Sequence, residues 1–239
     1  MSTLPAAQGS PVVVYPDSDG EPMSDNTEQF DLITLLKWNI DALVPDFVGG
    51  DLLWYPVEGD PKTRAAPDVL VAFGRPKGRR GSYRTWDEGG VVPQVVVEIW
   101  SPRNRFPDRV AKYVFYNRHG VEEFISYDPD THELAAWVRR GADLEPVSTE
   151  GGWTSPRLGV TFSVVDGELV AVGPDGRRFA DHGEDRAGRI EAEARAEAAA
   201  KRAEAEAQRA EAEAQRADAE AKRAAALAEM LRKLGVDPG

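Results

Sequence analysis

The stretch VVPQVVVEIWSPRNRFPDRVAKYVFYNRHG (91–120) decides how this chain reads. It opens with an apolar run, VPQVVVEIWS, that carries one charge, Glu98. Val and Ile without polar alternation mark a strand in the centre of a sheet, covered on both faces. A carboxylate in such a strand is expensive to bury unless something pairs with it. A helix follows from about Pro107 to Arg118, with Val110, Val114 and Phe115 on one face. Gly120 stops it, since glycine readily takes the left-handed conformation that ends helices.

Working outward, the same alternation of element types continues. Upstream, APDVLVAFG (66–74) reads as a strand with Asp68 at its entry, and FVGGDLLWYPVEG (47–59) as a strand around Leu52–Tyr55. Before them, DNTEQFDLITLLKWNIDALVP (25–45) has Phe30, Ile33, Leu36, Ile40 and Leu43 near helical spacing, with Lys37 the polar intruder. Asp25 or Thr27 is suited to cap it, and Pro45 follows its end. Downstream, VEEFISYDP (121–129) and HELAAWVRR (132–140) read as a hairpin turned at Asp128-Pro129-Asp130. GVTFSVVDG (159–167) and ELVAVG (168–173) close the globular part.

The two ends differ from this core. Residues 1–26 are rich in Pro, Gly, Ser and Asp and read as a flexible lead-in to a core of 27–183. Residues 184–239 are an Ala/Glu/Arg-rich helical tail that repeats AEAEAQR, AEAEAQR and ADAEAKR from Ala203. The seven-residue period aligns Ala203, Ala207, Ala210, Ala214, Ala217 and Ala221 in one stripe. Alanine buries little area, so a lone solvated helix and a coiled coil with a partner both fit.

Composition excludes several chemistries. The chain has no cysteine, which removes disulfides, zinc thiolates and thiol nucleophiles. His119, His132 and His182 show no ligand spacing, and no phosphate-loop, dinucleotide or serine-elbow motif is present. No run reaches membrane-spanning length, and the N-terminus lacks a secretory pattern, so a cytoplasmic protein is expected. The net charge of −12 opposes a uniformly basic nucleic-acid binder but not a local basic patch. PKGRRGSYR (76–84) and SPRNRFPDRVAKYVFYNR (101–118) are the cation-rich stretches. Arg79, Arg80, Arg103 and Arg105 read either as an approach path for nucleic acid or as ordinary loop charge.

Three residues then carry the chemical expectation: Asp68, Glu98 and Lys112. Alone, Asp68 after Pro67 also reads as a turn residue, and Lys112 as a surface residue. Together, two carboxylates and an ammonium are the minimum equipment for cutting a phosphodiester with a divalent ion. Mg²⁺ takes oxygen ligands and keeps several waters, and Mn²⁺ substitutes for it, so Asp68, Glu98 and the backbone carbonyl of Ile99 would suffice. Lys112 would stabilise the charge that develops.

The order and spacing of these residues resemble the PD-(D/E)XK nuclease superfamily, and more narrowly the Uma-two-type restriction endonuclease family. The resemblance runs from about Tyr15 to Pro129, through YPDSDGEPM, DNTEQF, APDVLVAFG, VVVEIWSP, the RNRFPDRVAKYVFYNRHGV block and EEFISYDP. It implies an α/β fold with a mixed sheet flanked by helices, metal-dependent DNA cleavage and a homodimer formed by the core. Asp68 matches the family's Asp, Glu98 its second acid, and Lys112 a lysine moved from the strand to the next helix. A strict motif would put lysine at position 100, which is Trp100. Superfamily members often carry one more acid on the first helix. Glu28 is the candidate, and Asp108 opens the second helix; both also read as acids placed favourably on a helix dipole. The rival reading is a nuclease-like fold used as a scaffold, recruiting partners through its tail.

Overall fold

In a computed structural model of the chain, residues 13–18, 20 and 24–233 are described. They divide into two units, one up to Ala180 and one from Asp181 onward.

The first unit is built on a six-stranded mixed sheet. Its strands are β1 (Asp46–Gly50), β3 (Val69–Pro76), β5 (Val95–Ile99), β6 (Glu123–Asp128), β7 (Glu133–Arg140) and β8 (Asp143–Val147), lying side by side in that order. Short β2 (Trp54–Tyr55) and β4 (Tyr83–Arg84) pair in parallel beside it. The apolar run read from the sequence is β5, buried at every position. It runs parallel to β6 and antiparallel to β3. Parallel neighbours need a crossover, and helix α2 (Phe106–Arg118) supplies it.

Side-chain alternation sorts the sheet into two faces. Val69, Val71, Val95, Val97 and Ile99 pack with Ile33, Leu36 and Ile40 of helix α1 (Thr27–Leu43). A three-stranded sheet of β9 (Trp153–Thr154), β10 (Thr161–Val165) and β11 (Glu168–Val172) adds Phe162, Leu169 and Ala171 to that cluster. Leu70, Ala72, Val96, Trp100 and Phe124 face the other way, against Tyr113, Phe115 and Tyr116 of α2.

Several local expectations change. The cap of α1 is Asn26, between the two residues expected: its side chain accepts the Gln29 N–H at 2.8 Å. The buried stripe of α1 is Gln29, Ile33, Leu36 and Ile40, and Phe30 is exposed. The strand expected around Leu52–Tyr55 is split: β1 precedes it, and only Trp54–Tyr55 remains extended and paired. On α2 the apolar residues Val110 and Val114 are exposed, because its inner face is given to Lys112 and Tyr116. Strand β8 follows Gly141, at φ +66, in a hairpin that DLEPV, lacking an apolar pattern, does not announce.

The expected flexible lead-in lies mostly outside the described residues. Its described part is held in place. The Tyr15 ring lies tilted against Trp86 and edge-on to Tyr55, at 4.9 and 5.2 Å between ring centres, and the Pro16 carbonyl accepts the Tyr55 hydroxyl at 2.6 Å.

The second unit is one helix, α3 (His182–Lys233), of 52 residues, about 78 Å long at 1.5 Å per residue. Its described ion pairs, Glu197–Lys201, Asp218–Lys222 and Glu229–Lys233, all run acid first, the more favourable order at this spacing. The spacings Arg202–Glu206 and Arg209–Glu213 run base first and are not among them. Residues 234–239 of the tail lie outside the described residues. Among the described residues, no helix is long and apolar enough to cross a membrane.

Candidate active site

Strand register brings the acids together. The antiparallel pairing of β3 and β5 matches Val69 with Val97, so the next step places Asp68 opposite Glu98 on the face under α2. Directly opposed residues of antiparallel strands hold their Cβ atoms about 5 Å apart. Both carboxylates are buried, Asp68 at 7 % exposure and Glu98 at 1 %. The Ile99 N–H, where β3 no longer supplies a carbonyl, donates to Asp68 Oδ2 at 2.6 Å.

Lys112 reaches back from the second turn of α2. Its Nζ donates to Glu98 Oε2 at 2.6 Å and to the Ala66 carbonyl at 3.3 Å. Tyr116, one turn later on the same face, donates its hydroxyl to Glu98 Oε1. Both Glu98 oxygens are therefore held in place. The lysine missing from position 100 has been replaced by one on the helix, and Trp100 packs beneath it with its ring centre 5.9 Å from Nζ.

Charges set the protonation states. Burial, reinforced by the Glu98 charge, pushes the Asp68 carboxyl well above the usual aspartate range. Burial by itself would lower Lys112, but Glu98 and Asp68 outweigh it and raise its pKa, so Lys112 is a cation at neutral pH. Burial and Glu98 raise Tyr116, which stays a neutral donor.

With Asp68 ionised, two carboxylates would face one ammonium, and burial beside Glu98 opposes that ionisation unless a cation joins them. That balance and the hard oxygen donors suit Mg²⁺ or Mn²⁺. Among the described residues no group of three acids, histidines or cysteines is close enough to cage an ion, so such an ion would retain water or substrate oxygens. The Ile99 carbonyl points to the same edge and accepts the Gln29 side-chain amide at 2.8 Å. A carbonyl has two lone pairs, so one remains for a further partner.

The other residues singled out from the sequence fall in different places. Glu28 is exposed, and its neighbour Gln29 is the α1 residue that reaches the site. Asp108 accepts the Arg105 N–H at 3.1 Å and closes the first turn of α2, which accounts for its position. Arg80 grips Glu88 at 2.5 and 3.1 Å and lies over the Phe47 ring, so it is built into the scaffold. Arg103 pairs with Asp25 at 3.0 Å, and Asp25 also accepts the Ser101 hydroxyl, beside the end of β5. Arg79 and Arg105 are exposed.

Three residues of the site escaped the sequence reading. Tyr116 lies four after Lys112, the spacing of one helix face. Gln29 lies four before Ile33 and extends the buried stripe of α1. Asp51, at the end of β1, follows the register that pairs Gly50 with Val69, so it stands opposite Asp68 on the other side. Its backbone N–H donates to the Asp68 carbonyl at 3.1 Å, and its φ of 45° is a left-handed value that aspartate tolerates better than most residues. Its charge raises both Asp68 and Lys112.

The mixed sheet flanked by helices is a PD-(D/E)XK nuclease-like fold. The chain belongs to the Uma2 family, described as "Putative restriction endonuclease", whose profile matches residues 18–164. Among solved structures, a similar chain is a "putative nuclease belonging to DUF820 from Anabaena variabilis". It is 14 % identical, with 55 % of this chain and 74 % of that one covered at a TM-score of 0.42. No curated protein matches.

Proposed function

We propose that this protein is a Mg²⁺-dependent endonuclease that hydrolyses DNA phosphodiester bonds at Asp68, Glu98 and Lys112. One observation carries the reading: strand register sets two buried carboxylates opposite each other, and one half-buried lysine pairs with only one of them. A buried excess charge is costly unless a ligand of opposite sign completes the site.

In this reading Asp68, Glu98 and the Ile99 carbonyl hold Mg²⁺ or Mn²⁺. The bound ion would lower the pKa of a coordinated water and offset phosphate charge. Tyr116 fixes the orientation of Glu98 through its hydroxyl. Lys112, being protonated, stabilises negative charge on the attacking or transferring oxygens and does not act as a base. Arg79, Arg103 and Arg105 supply positive charge at the approach. Arg80 contributes through the scaffold.

Cleavage of supercoiled plasmid in Mg²⁺ or Mn²⁺, absent with EDTA and absent in Glu98→Gln, tests the assignment. Calorimetric Mn²⁺ binding that disappears in Asp68→Asn tests the ligands. A wild-type protein that binds Mn²⁺ but leaves every DNA intact would sink the hydrolase reading.

We further propose a homodimer formed by the core, since two sites related by a two-fold axis address both strands of a duplex. The helical tail would then be auxiliary. Truncation after Asp181 followed by light scattering decides between core and tail as the dimerising element. A truncated monomer from a dimeric full chain would overturn the core interface.

A further inference from the structure

The rung of the sheet that carries the acids does not stop at Glu98. The parallel register pairs Glu98 with Ser126, and the next antiparallel register pairs Ser126 with Ala135. Asp68, Glu98, Ser126 and Ala135 thus lie in one row on the face under α2. Each step across a sheet is about 4.8 Å. Ser126 and Ala135 are the floor of a cavity of about 350 Å³ between α2 and the β6–β7 hairpin. Its floor therefore begins one strand away from Glu98.

The cavity is walled by aromatic rings. Trp100, Tyr113, Phe124 and Trp137 line it, and Phe124 and Trp137 stack with their centres 4.9 Å apart. Trp100 is shared with the candidate active site, since Lys112 lies against its ring. At the mouth stands Phe106, the first residue of α2, with 78 % of its surface exposed. An aromatic ring left this bare at the lip of an aromatic cavity is an open stacking surface.

The polar groups are few and placed at one end. Ser126 is 4 % exposed, and among the described residues no group hydrogen-bonds its hydroxyl, which lines the cavity. Glu133 is at the exposed rim. Asp128 is spoken for by Arg109 at 2.6 Å, and Arg109 also donates to the Asn104 carbonyl at 2.9 Å, so this pair is a fixed wall. A flat ligand with two π faces and a hydrogen-bonding edge matches such a site. A hydroxyl and a carboxylate acceptor favour an edge that carries an amino group.

We infer that this cavity receives an unstacked nucleobase of the nucleic acid whose phosphate lies at Asp68 and Glu98. The inference rests on the nuclease reading for its occupant, and on the rung geometry for its place. A base taken out of its stack is held by aromatic faces and read by its Watson–Crick edge. The cavity would thus make the site selective for strands that can release a base, such as single strands and distorted duplexes.

The test uses the full chain and two ligand series. Tryptophan fluorescence follows titration with dCMP and dAMP against deoxyribose 5-phosphate, which lacks the base. Fluorescence anisotropy follows a single-stranded decamer of mixed sequence. The base-bearing nucleotides should bind roughly tenfold tighter than the sugar phosphate, the usual scale of one base–aromatic stack. Phe106→Ser, which removes a largely exposed side chain, should weaken the decamer several-fold. Ala135→Phe, which fills the floor, should abolish the base preference, with circular dichroism checking its fold.

The outcomes separate the two proposals. Base-dependent binding that both variants lose, in a protein that cuts nothing, keeps the cavity and removes the nuclease reading. Metal-dependent cutting with no base preference, unchanged in both variants, removes the cavity and keeps the nuclease. A Phe106→Ser protein that turns from dimer to monomer while its base binding is intact also overturns the inference, because the lip then belongs to a second copy of the chain.

Discussion

Glu98 and Glu123 sit on neighbouring strands, are exposed at 1 % and 2 %, and differ in almost everything else. Glu123 points to the α1 face, where the Ser155 hydroxyl and the Arg157 backbone N–H, at 2.8 Å, donate to its two oxygens. Its partners are neutral and come from one loop, so its charge ties that loop to the sheet. Glu98 points to the α2 face, is gripped by a cation and a phenol, and looks across at a second carboxylate. Burial alone does not mark a functional acid. What separates the two is the setting: neutral donors alone hydrogen-bond Glu123, while Glu98 has a cation on one oxygen and a second carboxylate opposite, which is why the proposed function rests on it.

The sharpest way to break this contrast is to neutralise each acid without changing its shape. Glu98→Gln should reduce plasmid cleavage by on the order of a thousandfold, the scale of several kcal/mol that metal-assisted charge stabilisation supplies. Glu123→Gln should stay within a few-fold of wild type in the same assay. Equal losses in both variants would mean that Glu98 acts through the fold as Glu123 does.

The second test asks what the Lys112–Glu98 pair does for stability. Removing one partner of a buried pair leaves a stranded charge, which costs about 3–5 kcal/mol. Lys112→Met should lose stability on that scale in urea unfolding, and the double variant Glu98→Gln/Lys112→Met should recover most of it. Activity should be absent from both. A double variant no more stable than Lys112→Met would show that Lys112 serves packing on Trp100 more than the charge of Glu98.

How much of this was readable in advance follows from the same contrast. Glu98 stood out because its strand is otherwise Val and Ile, so a charge there needed a partner. Glu123 did not, because VEEFISYD places two glutamates at a strand entry, where one expects solvent. The central strand β5 and the helix that follows it were legible because an apolar run and a stop at Gly120 are local signals. The inner face of α2 was misread for a physical reason: apolar residues normally mark the buried side, but this helix faces a polar site. Val110 and Val114 therefore point outward, while Lys112 and Tyr116 point in. Asp51 was invisible because it joins the acids through β-register, which depends on pairing partners far along the chain. The role proposed for Lys112 comes from the Uma-two-type resemblance, since spacing alone left it open.

A smaller effect sharpens the structural half of the comparison. Ser155→Ala removes the hydroxyl donor from Glu123 and leaves a buried acceptor short of a partner, a loss of about 1–3 kcal/mol. The cleavage rate per folded molecule should be unchanged. A fall in rate without a fall in stability would place the Glu123 loop in the chemistry.

The subtlest difference is in pH dependence, and it separates Asp68 from the carboxylates that support the fold. Burial, then the charge of Glu98, raises Asp68 above its unfolded value. A group with a raised folded pKa contributes stability that is fully present below its unfolded pKa and is lost as pH rises through the folded one. Metal-free wild type should therefore lose stability as the pH is raised above the ordinary aspartate range. Asp68→Asn, which cannot ionise, should have a flatter profile and a higher melting temperature at neutral pH. Glu123 is also raised, burial outweighing its two donors, so it adds a slope of the same sign that Asp68→Asn leaves in place. Mg²⁺ distinguishes them. An ion that binds only the folded state stabilises by about 2.7 kcal/mol at a hundred times its dissociation constant. Wild type and Glu123→Gln should both gain on adding Mg²⁺, and Asp68→Asn should gain nothing, reversing the order of melting temperatures. If Asp68→Asn is the less stable protein without metal, the Asp68 carboxylate is a structural anchor for the Ile99 N–H, and the site loses the strain that a cation was expected to relieve.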